Sequence, residues 1–474
     1  MVYVYIRTVI YVINFFFVLT IIFKDKKDTP TLFSWLILLT LIPELGFILF
    51  ILFGRTIRFD KKFKQKDRAD EITQEMLYNN NIVNYKKDNF YGNEFIRLFY
   101  NMQNSVYTDD NQVKLFIDGQ QYFDQLIRDI NHAKEYIHLE FYIFRSDKIG
   151  KEIIDALTKK AQEGIEVKLL YDDLGSRTLN RHMIKPLKRA GGEIAVFFPS
   201  VLKMINLNLN YRNHRKICVI DGKIAYTGGF NVGDEYLGRN KKIGYWRDTM
   251  LRINGGAVDQ LEMRFIMDWK YITRDEIDYK KYFRKHDGTG KIGMQIVSCG
   301  PDTPTNEEIE YGYKKIIQNA KRYVYIQTPY LILDEGFIDT LKIVALSGVD
   351  VRIIIPGKAD HPFVYSATKS FAAELLDAGI KIYKYNQNAF MHSKLIVSDD
   401  EIVSIGTANF DLRSFNLNFE VNAFIYNETF TKLVRTVFEK DLTVCTEYSL
   451  NDYYRRNCLT KVREYIARLL SPIL

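Results

Sequence analysis

The chain has 474 residues, 66 Lys+Arg against 58 Asp+Glu for a formal net charge of +8, and is 47% hydrophobic and 14% aromatic. At roughly 100–200 residues per domain, that length holds two or three units, and the apolar content excludes a disordered or collagen-like chain. Four irregularly spaced cysteines (Cys218, Cys299, Cys445, Cys458) with no C-x-x-C argue against a disulfide scaffold or a Cys-rich zinc site and point to a reducing compartment.

Val2 to Phe23 carries a single charge, Arg7. As a helix this run is about 33 Å long, enough for a hydrocarbon core of roughly 30 Å. Thr29 to Gly54 carries only Glu44, and Pro43 predicts a kink near its middle. The short polar break at 24–28 leaves room only for a hairpin loop. No small-residue cleavage site follows Phe23, which disfavours a cleaved leader. Glu44 reads either as a functional acid or as a helix-packing residue. Next come Arg55, Arg58, Lys61, Lys62, Lys64, Lys66 and Arg68 against Asp60 and Asp67. This bias predicts a two-span hairpin over 1–58 (helices about 2–23 and 29–54) with both ends cytoplasmic. The basic connecting segment, 59–110, is expected to be drawn to anionic lipid.

Beyond residue 110, β-branched and aromatic runs alternate with amphipathic stretches, an α/β pattern. Strands are predicted at 136–142 and 166–171 around a helix at 149–163, and again at 323–327 and 350–355 around a helix at 335–347. Gly164 and Gly348 stand at the matching helix ends. Two lobes are read at 111–272 and 290–450. Within the first, Cys218 sits in an apolar run expected in the core. Residues 201–211 are rich in large apolar side chains and read equally as an entrance for acyl chains or a buried connection. A closing amphipathic helix at 451–474 has Val462, Ile466, Leu469 and Leu470 on one face; docking on its own body is the first expectation and membrane contact the second.

The duplication is sharpest in two H-x-K-x4-D strings: His214, Lys216 and Asp221, then His392, Lys394 and Asp399. Each histidine is followed after the same intervals by a glycine (Gly228, Gly406) and an asparagine (Asn231, Asn409). From the composition, about 0.12 such strings are expected by chance. In each copy an apolar strand follows the lysine and a turn follows the strand, so His and Lys share a face. An imidazole beside an ammonium suits a bound phosphate, with Lys neutralising oxygens and His near phosphorus.

These strings resemble the phospholipase D superfamily, and the longer matches resemble the bacterial cardiolipin synthases. They are residues 213–222 (NHRKICVIDG), 227–236 (TGGFNVGDEY), 246–249 (WRDT), 406–414 (GTANFDLRS) and 418–420 (NFE). The resemblance extends over nearly the whole chain, including the amino-terminal hairpin and the final LLSPIL. It implies two phospholipase D-like lobes, mixed sheets flanked by helices about a pseudo-twofold axis, with one active site between them.

It also implies roles. His214 is expected as nucleophile and His392 as general acid/base, an assignment the residues alone leave open. Lys216, Lys394, Asn231 and Asn409 are expected to hold phosphoryl oxygens without a metal or cofactor. Asp248 and Glu420 are the candidate carboxylates behind the rings, crossed so that Glu420 supports His214 and Asp248 supports His392. Asp221 and Asp399 count as catalytic in the family, while their turn positions point equally to a structural role. The expected reaction joins two phosphatidylglycerols into cardiolipin and glycerol at a bacterial cell membrane. A hydrolytic phospholipase D or other phosphatidyltransferase is the alternative, and a nuclease the distant one. No nucleic-acid partner is expected, and oligomeric state is open.

Overall fold

The computed structural model describes all residues except 25–28, 54–56, 80–93, 200–210, 284, 285, 287, 304, 470 and 472–474. The expected hairpin loop at 25–28 and most of the apolar stretch 201–211 lie outside the described residues; Tyr211 is buried.

A mixed sheet of fifteen strands runs through the described residues. At its centre Thr108–Phe116 pairs antiparallel with Ile292–Cys299. Outward on one side lie Met250–Asn254, Ile224–Gly228, Ile217–Ile220, Tyr136–Phe141, Glu166–Asp172 and Glu193–Phe197. Outward on the other lie Glu420–Tyr426, Ile402–Gly406, Leu395–Ser398, Tyr323–Gln327, Asp350–Ile355 and Lys381–Lys384, with Thr446–Tyr448 at the edge. The same chain-order pattern is thus written twice, and in each half three parallel strands meet an antiparallel meander. The parallel strands are apolar on both faces because helices cover both. One face carries the buried helix Ala257–Thr273 and its counterpart Glu428–Leu442; the other carries Gly119–His132 and Lys148–Gln162 in one half and Glu308–Asn319, Glu335–Leu346 and Pro362–Leu376 in the other. The strands and helices predicted at 136–171 and 323–355 fall within a residue or two of the observed ones, whereas the helix expected at 451–474 is two, Leu450–Tyr454 and Cys458–Leu469; Gly164 and Gly348 take the left-handed conformation at their helix ends. Cys218 is in the core, and all four thiols are free.

At the amino terminus, one helix among the described residues, Tyr3–Phe23, is long and apolar enough to cross a bilayer. The second apolar stretch is two helices, Thr29–Leu41 and Pro43–Phe53. Pro43 has no N–H for the Leu39 carbonyl four residues back. The Asn14 amide replaces it, donating to Leu39 O at 3.0 Å and Pro43 O at 2.9 Å. Glu44 pairs with Arg7 at 3.1 Å, a helix-packing role.

Two expectations need correction. Lys66, in the helix Ile57–Asn79, is no surface base: it is fully buried against Asp70 (2.6 Å), Asp268 (3.0 Å) and Asp302 (2.6 Å). One helical turn brings Lys66 and Asp70 onto the inward face, while Lys64 and Arg68 stay exposed. The closing helix, Cys458–Leu469, does pack on Pro362–Leu376, but with the face opposite to the one expected. Glu464 and Ala467 are buried, with Glu464 held by Lys369 and Arg456, whereas Val462, Ile466 and Leu469 are 50%, 48% and 68% exposed.

Candidate active site

Each histidine immediately precedes a hairpin in its own half and is docked on the other. The His214 N–H donates to Phe419 O at 2.9 Å, and the Phe419 N–H donates to Arg212 O at 2.9 Å. Likewise Ala389–Met391 pairs in parallel with Tyr245–Arg247, and the His392 N–H donates to Arg247 O at 2.8 Å. These bridges carry each carboxylate across to the opposite imidazole. Glu420 Oε2 lies 2.8 Å from His214 Nδ1, and Asp248 Oδ2 lies 2.5 Å from His392 Nδ1. A carboxylate only accepts, so Nδ1 holds the proton and Nε2 carries the lone pair. Neither Nε2 has a protein partner among the described residues. Both rings are nearly buried, against Tyr142 (centroids 5.1 Å from His214) and Trp246 (4.9 Å from His392).

The carboxylates have tight seats. Glu420 Oε1 accepts from Asn418 at 3.1 Å, and Asp248 Oδ1 accepts from the Thr249 N–H at 2.8 Å. A Cβ at Gly229 would fall 1.8 Å from Asp248 Oδ1, so the glycine of TGGFN is a condition for this approach.

Lys216 Nζ donates to its own motif's His214 O at 2.6 Å; Lys394 Nζ bonds His392 O and lies 2.9 Å from His392 Nδ1. The lysines and histidines form one electrostatic unit spanning both halves. Burial, then Lys394, pushes His392 down to about 4. His214 is also lowered, first by burial, with Glu420 opposing and Lys216 and Lys394 assisting. Burial is likewise the main cause that brings Lys216 down to about 7 and Lys394 down to about 8. Burial alone would raise the carboxylates, but the cations hold both Asp248 and Glu420 below their usual range.

Asn231 and Asn409 are both buried and already tied in. Asn231 Oδ1 accepts from the Ile143 N–H (3.1 Å) and its Nδ2 donates to Tyr236 (3.2 Å); Asn409 Nδ2 donates to Asp411 (3.1 Å). Asp221 and Asp399 require correction. Both sit in hairpin turns with positive φ, at the far end of the strand from the histidine, roughly 20 Å along an extended chain. Asp221 accepts the N–H groups of Lys134, Glu135 and Tyr136 at 2.8–3.0 Å; Asp399 accepts those of Lys321, Arg322 and Tyr323 at 2.6–2.9 Å. Each carboxylate anchors the start of the neighbouring antiparallel strand, an architectural role.

Sequence reasoning missed what lies beneath His214. Arg215 is fully buried, donating to Glu420 O at 3.1 Å and to Asp268 at 2.6 Å. Asp268 in turn meets Lys66, so a continuous ionic chain links the helix Ile57–Asn79 to the backbone of the carboxylate that orients His214. The i,i+4 spacing of Lys66 and Asp70 was the one available signal. On the His392 side, Arg247 is held by Asp441 at 2.7–3.1 Å.

Comparison with known proteins gives the family. The family model described as "Cardiolipin synthase, PLD-like domain" matches residues 126–269 and 313–442, one match around each histidine. The chain belongs to the bacterial cardiolipin synthases of the phospholipase D superfamily. It is 48% identical to the cardiolipin synthase of Staphylococcus aureus (strain Mu50 / ATCC 700699), over 98% of this chain and 95% of that protein. It is 46% identical to the major cardiolipin synthase of Bacillus subtilis (strain 168), over 98% of both. Among solved structures, phosphatidylserine synthase of Haemophilus influenzae Rd KW20 shares the fold, with a TM-score of 0.61 at 15% identity, over 81% of this chain and all of that one. As a cardiolipin synthase the chain is a membrane-associated phosphatidyltransferase.

Proposed function

We propose that the enzyme transfers a phosphatidyl group from one phosphatidylglycerol to another through phosphatidyl-His214. The observation that carries this reading is the pair of crossed His–carboxylate contacts, each leaving one Nε2 without a protein partner among the described residues, while the lysine of each motif acts electrostatically on the histidine of the other. With the donor phosphate over Lys216 and Lys394, His214 Nε2 attacks phosphorus and a P–N bond forms. The P–O bond to glycerol breaks, and His392, protonated at Nε2, gives that proton to the departing alkoxide. Neutral His392 then takes the proton of the acceptor's glycerol hydroxyl. Its oxygen attacks phosphorus, the P–N bond breaks and cardiolipin leaves. The second amide hydrogens of Asn231 and Asn409 add donors to the phosphoryl oxygens.

In this reading the lobes 111–272 and 290–450 are related by a pseudo-twofold axis through the cleft, in keeping with the repeated strand order. The amino-terminal helices form a two-span hairpin, the Pro43 break sealed by Asn14, with the catalytic body on the cytoplasmic side. Purified protein given phosphatidylglycerol, with the lipids weighed by mass spectrometry, tests the reaction. Cardiolipin and free glycerol are expected in equal amounts; phosphatidic acid as the main product overturns it in favour of hydrolysis.

A further inference from the structure

A transferase that joins two phospholipids must hold two phosphates, and only one of them reacts. The histidines and lysines account for the reacting phosphate. A second cationic group stands beside them. Arg212, two residues before His214, is 4% exposed, yet among the described residues none of its three guanidinium nitrogens has a hydrogen-bond partner. The other most deeply buried arginines are tied to carboxylates: Arg215 to Asp268 at 2.6 Å and Arg247 to Asp441 at 2.7 Å. A carboxylate near Arg212, Asp172, is already engaged by backbone, accepting from Leu174, Gly175 and Asn213 at 2.9–3.1 Å. An unmatched guanidinium in a low-dielectric setting is costly unless an anion completes it.

Arg413, on the other half, is balanced chiefly by Asp411 and also feels the charge of Arg212, so a second guanidinium stands within electrostatic reach of the first. Both act electrostatically on the Tyr142 hydroxyl, and the Tyr142 ring packs edge-on against His214. Tyr142 thus links the pair to the attacking imidazole: both guanidinium charges act on its hydroxyl and its ring packs on His214, with one arginine from each half. A planar guanidinium fork matches phosphate oxygens bidentately.

We infer that Arg212 and Arg413 form the subsite for the phosphodiester of the acceptor phospholipid, the phosphate that passes unreacted into the product. This rests on the transferase reading above and adds to it: the subsite favours an anionic lipid alcohol over water or free glycerol as acceptor.

Two reactions of the same protein separate the roles. Exchange of labelled glycerol into phosphatidylglycerol vesicles uses the donor site and an acceptor without phosphate, whereas cardiolipin formation needs both sites. In Arg212→Gln, and in Arg413→Gln as a second variant, cardiolipin formation is expected to fall about ten- to a hundredfold more than glycerol exchange. The phosphatidylglycerol KM for cardiolipin formation rises, and Arg212→Lys recovers part of the loss. Parallel loss of both reactions, or no loss of either, in both glutamine variants overturns the subsite while wild-type cardiolipin synthesis stands. Wild-type protein that exchanges glycerol but makes no cardiolipin sinks the transferase reading itself, and the subsite with it.

Discussion

The two copies of the histidine unit share a sequence pattern but not an environment. Around His214, Lys216 turns to the backbone carbonyl (2.6 Å), and Glu420 is the strongest electrostatic neighbour of the ring. Around His392, Lys394 lies 2.9 Å from Nδ1 and is the strongest electrostatic neighbour, adding to the burial that drives this ring down to about 4. The carboxylates differ by one methylene and approach from different elements, Glu420 from a strand start and Asp248 from just beyond a three-residue strand. Two copies of one motif thus become two different acid–base groups because each is completed by the other half of the chain. A phosphate anion across the lysines offsets their repulsion most at His392. Its protonation is then the one most tightly linked to substrate binding, which suits a general acid/base, while His214 rests as a neutral nucleophile.

The largest effect tests this division directly. His214→Ala and His392→Ala are each expected to lower cardiolipin formation by about 10⁴-fold or more. They should differ in what rapid quenching traps. His392→Ala accumulates a slow phosphatidyl–protein adduct and His214→Ala forms none; an adduct in His214→Ala alone exchanges the two roles.

The carboxylates come next. Glu420→Gln and Asp248→Asn keep size but remove the charge that sets each imidazole's tautomer, and losses of about 10²–10⁴-fold in kcat are expected. Without Asp248, Lys394 acts on His392 unopposed, so the Asp248 variant should be the slower of the two. Equal rates would mean that the two environments are functionally alike.

A smaller effect separates the motif aspartates from the histidines they accompany. Asp221→Asn and Asp399→Asn weaken three charge-assisted backbone hydrogen bonds each. Denaturant unfolding is expected to show losses of about 2–4 kcal/mol in stability, with kcat of the folded fraction within severalfold of wild type. A specific collapse of kcat at unchanged stability would return these residues to catalysis.

Much of this was legible from residue order because the information was local or duplicated. Strand and helix periodicity placed Tyr136–Phe141 and Tyr323–Gln327, and two aligned H-x-K-x4-D strings named the two His–Lys pairs that the fold brings into one electrostatic unit. Asp221 and Asp399 were legible only as turn residues; that each collects three amides of another strand depends on a contact 76–87 residues away. Lys66 was misread because a basic run looks the same whether its charges face lipid or a buried aspartate. Asp268 and Asp302 lie more than 200 residues further along the chain. The closing helix was misread for a related reason: amphipathicity identifies an apolar face but not which face a neighbour takes, and here Glu464 has buried partners in Lys369 and Arg456. Arg212 was passed over just ahead of the motif because a missing partner has no sequence signature.

The smallest predicted effect is a pH dependence that comes from the lysines. In the free enzyme Lys216 is held at about 7 and Lys394 at about 8, chiefly by burial. Below these values both ammonium groups are charged and the donor phosphate meets its full complement. As pH rises through them the charge is lost, so kcat/KM is expected to fall on the alkaline side with a limb near 7–8. No opposing acid limb arises from Asp248 or Glu420 near neutrality, because both are held below the ordinary carboxylate range. Bound phosphate restores the lysines' protons, so the limb in kcat should lie at higher pH than the limb in kcat/KM. Lys216→Arg places a cation that does not titrate in this range beside His214. The alkaline limb of kcat/KM should then move toward the value set by Lys394 alone, and Lys394→Arg should leave the limb set by Lys216. If neither substitution moves the limb at constant ionic strength, the lysines do not govern donor binding, and the contrast between the two histidine environments must be traced to the carboxylates alone.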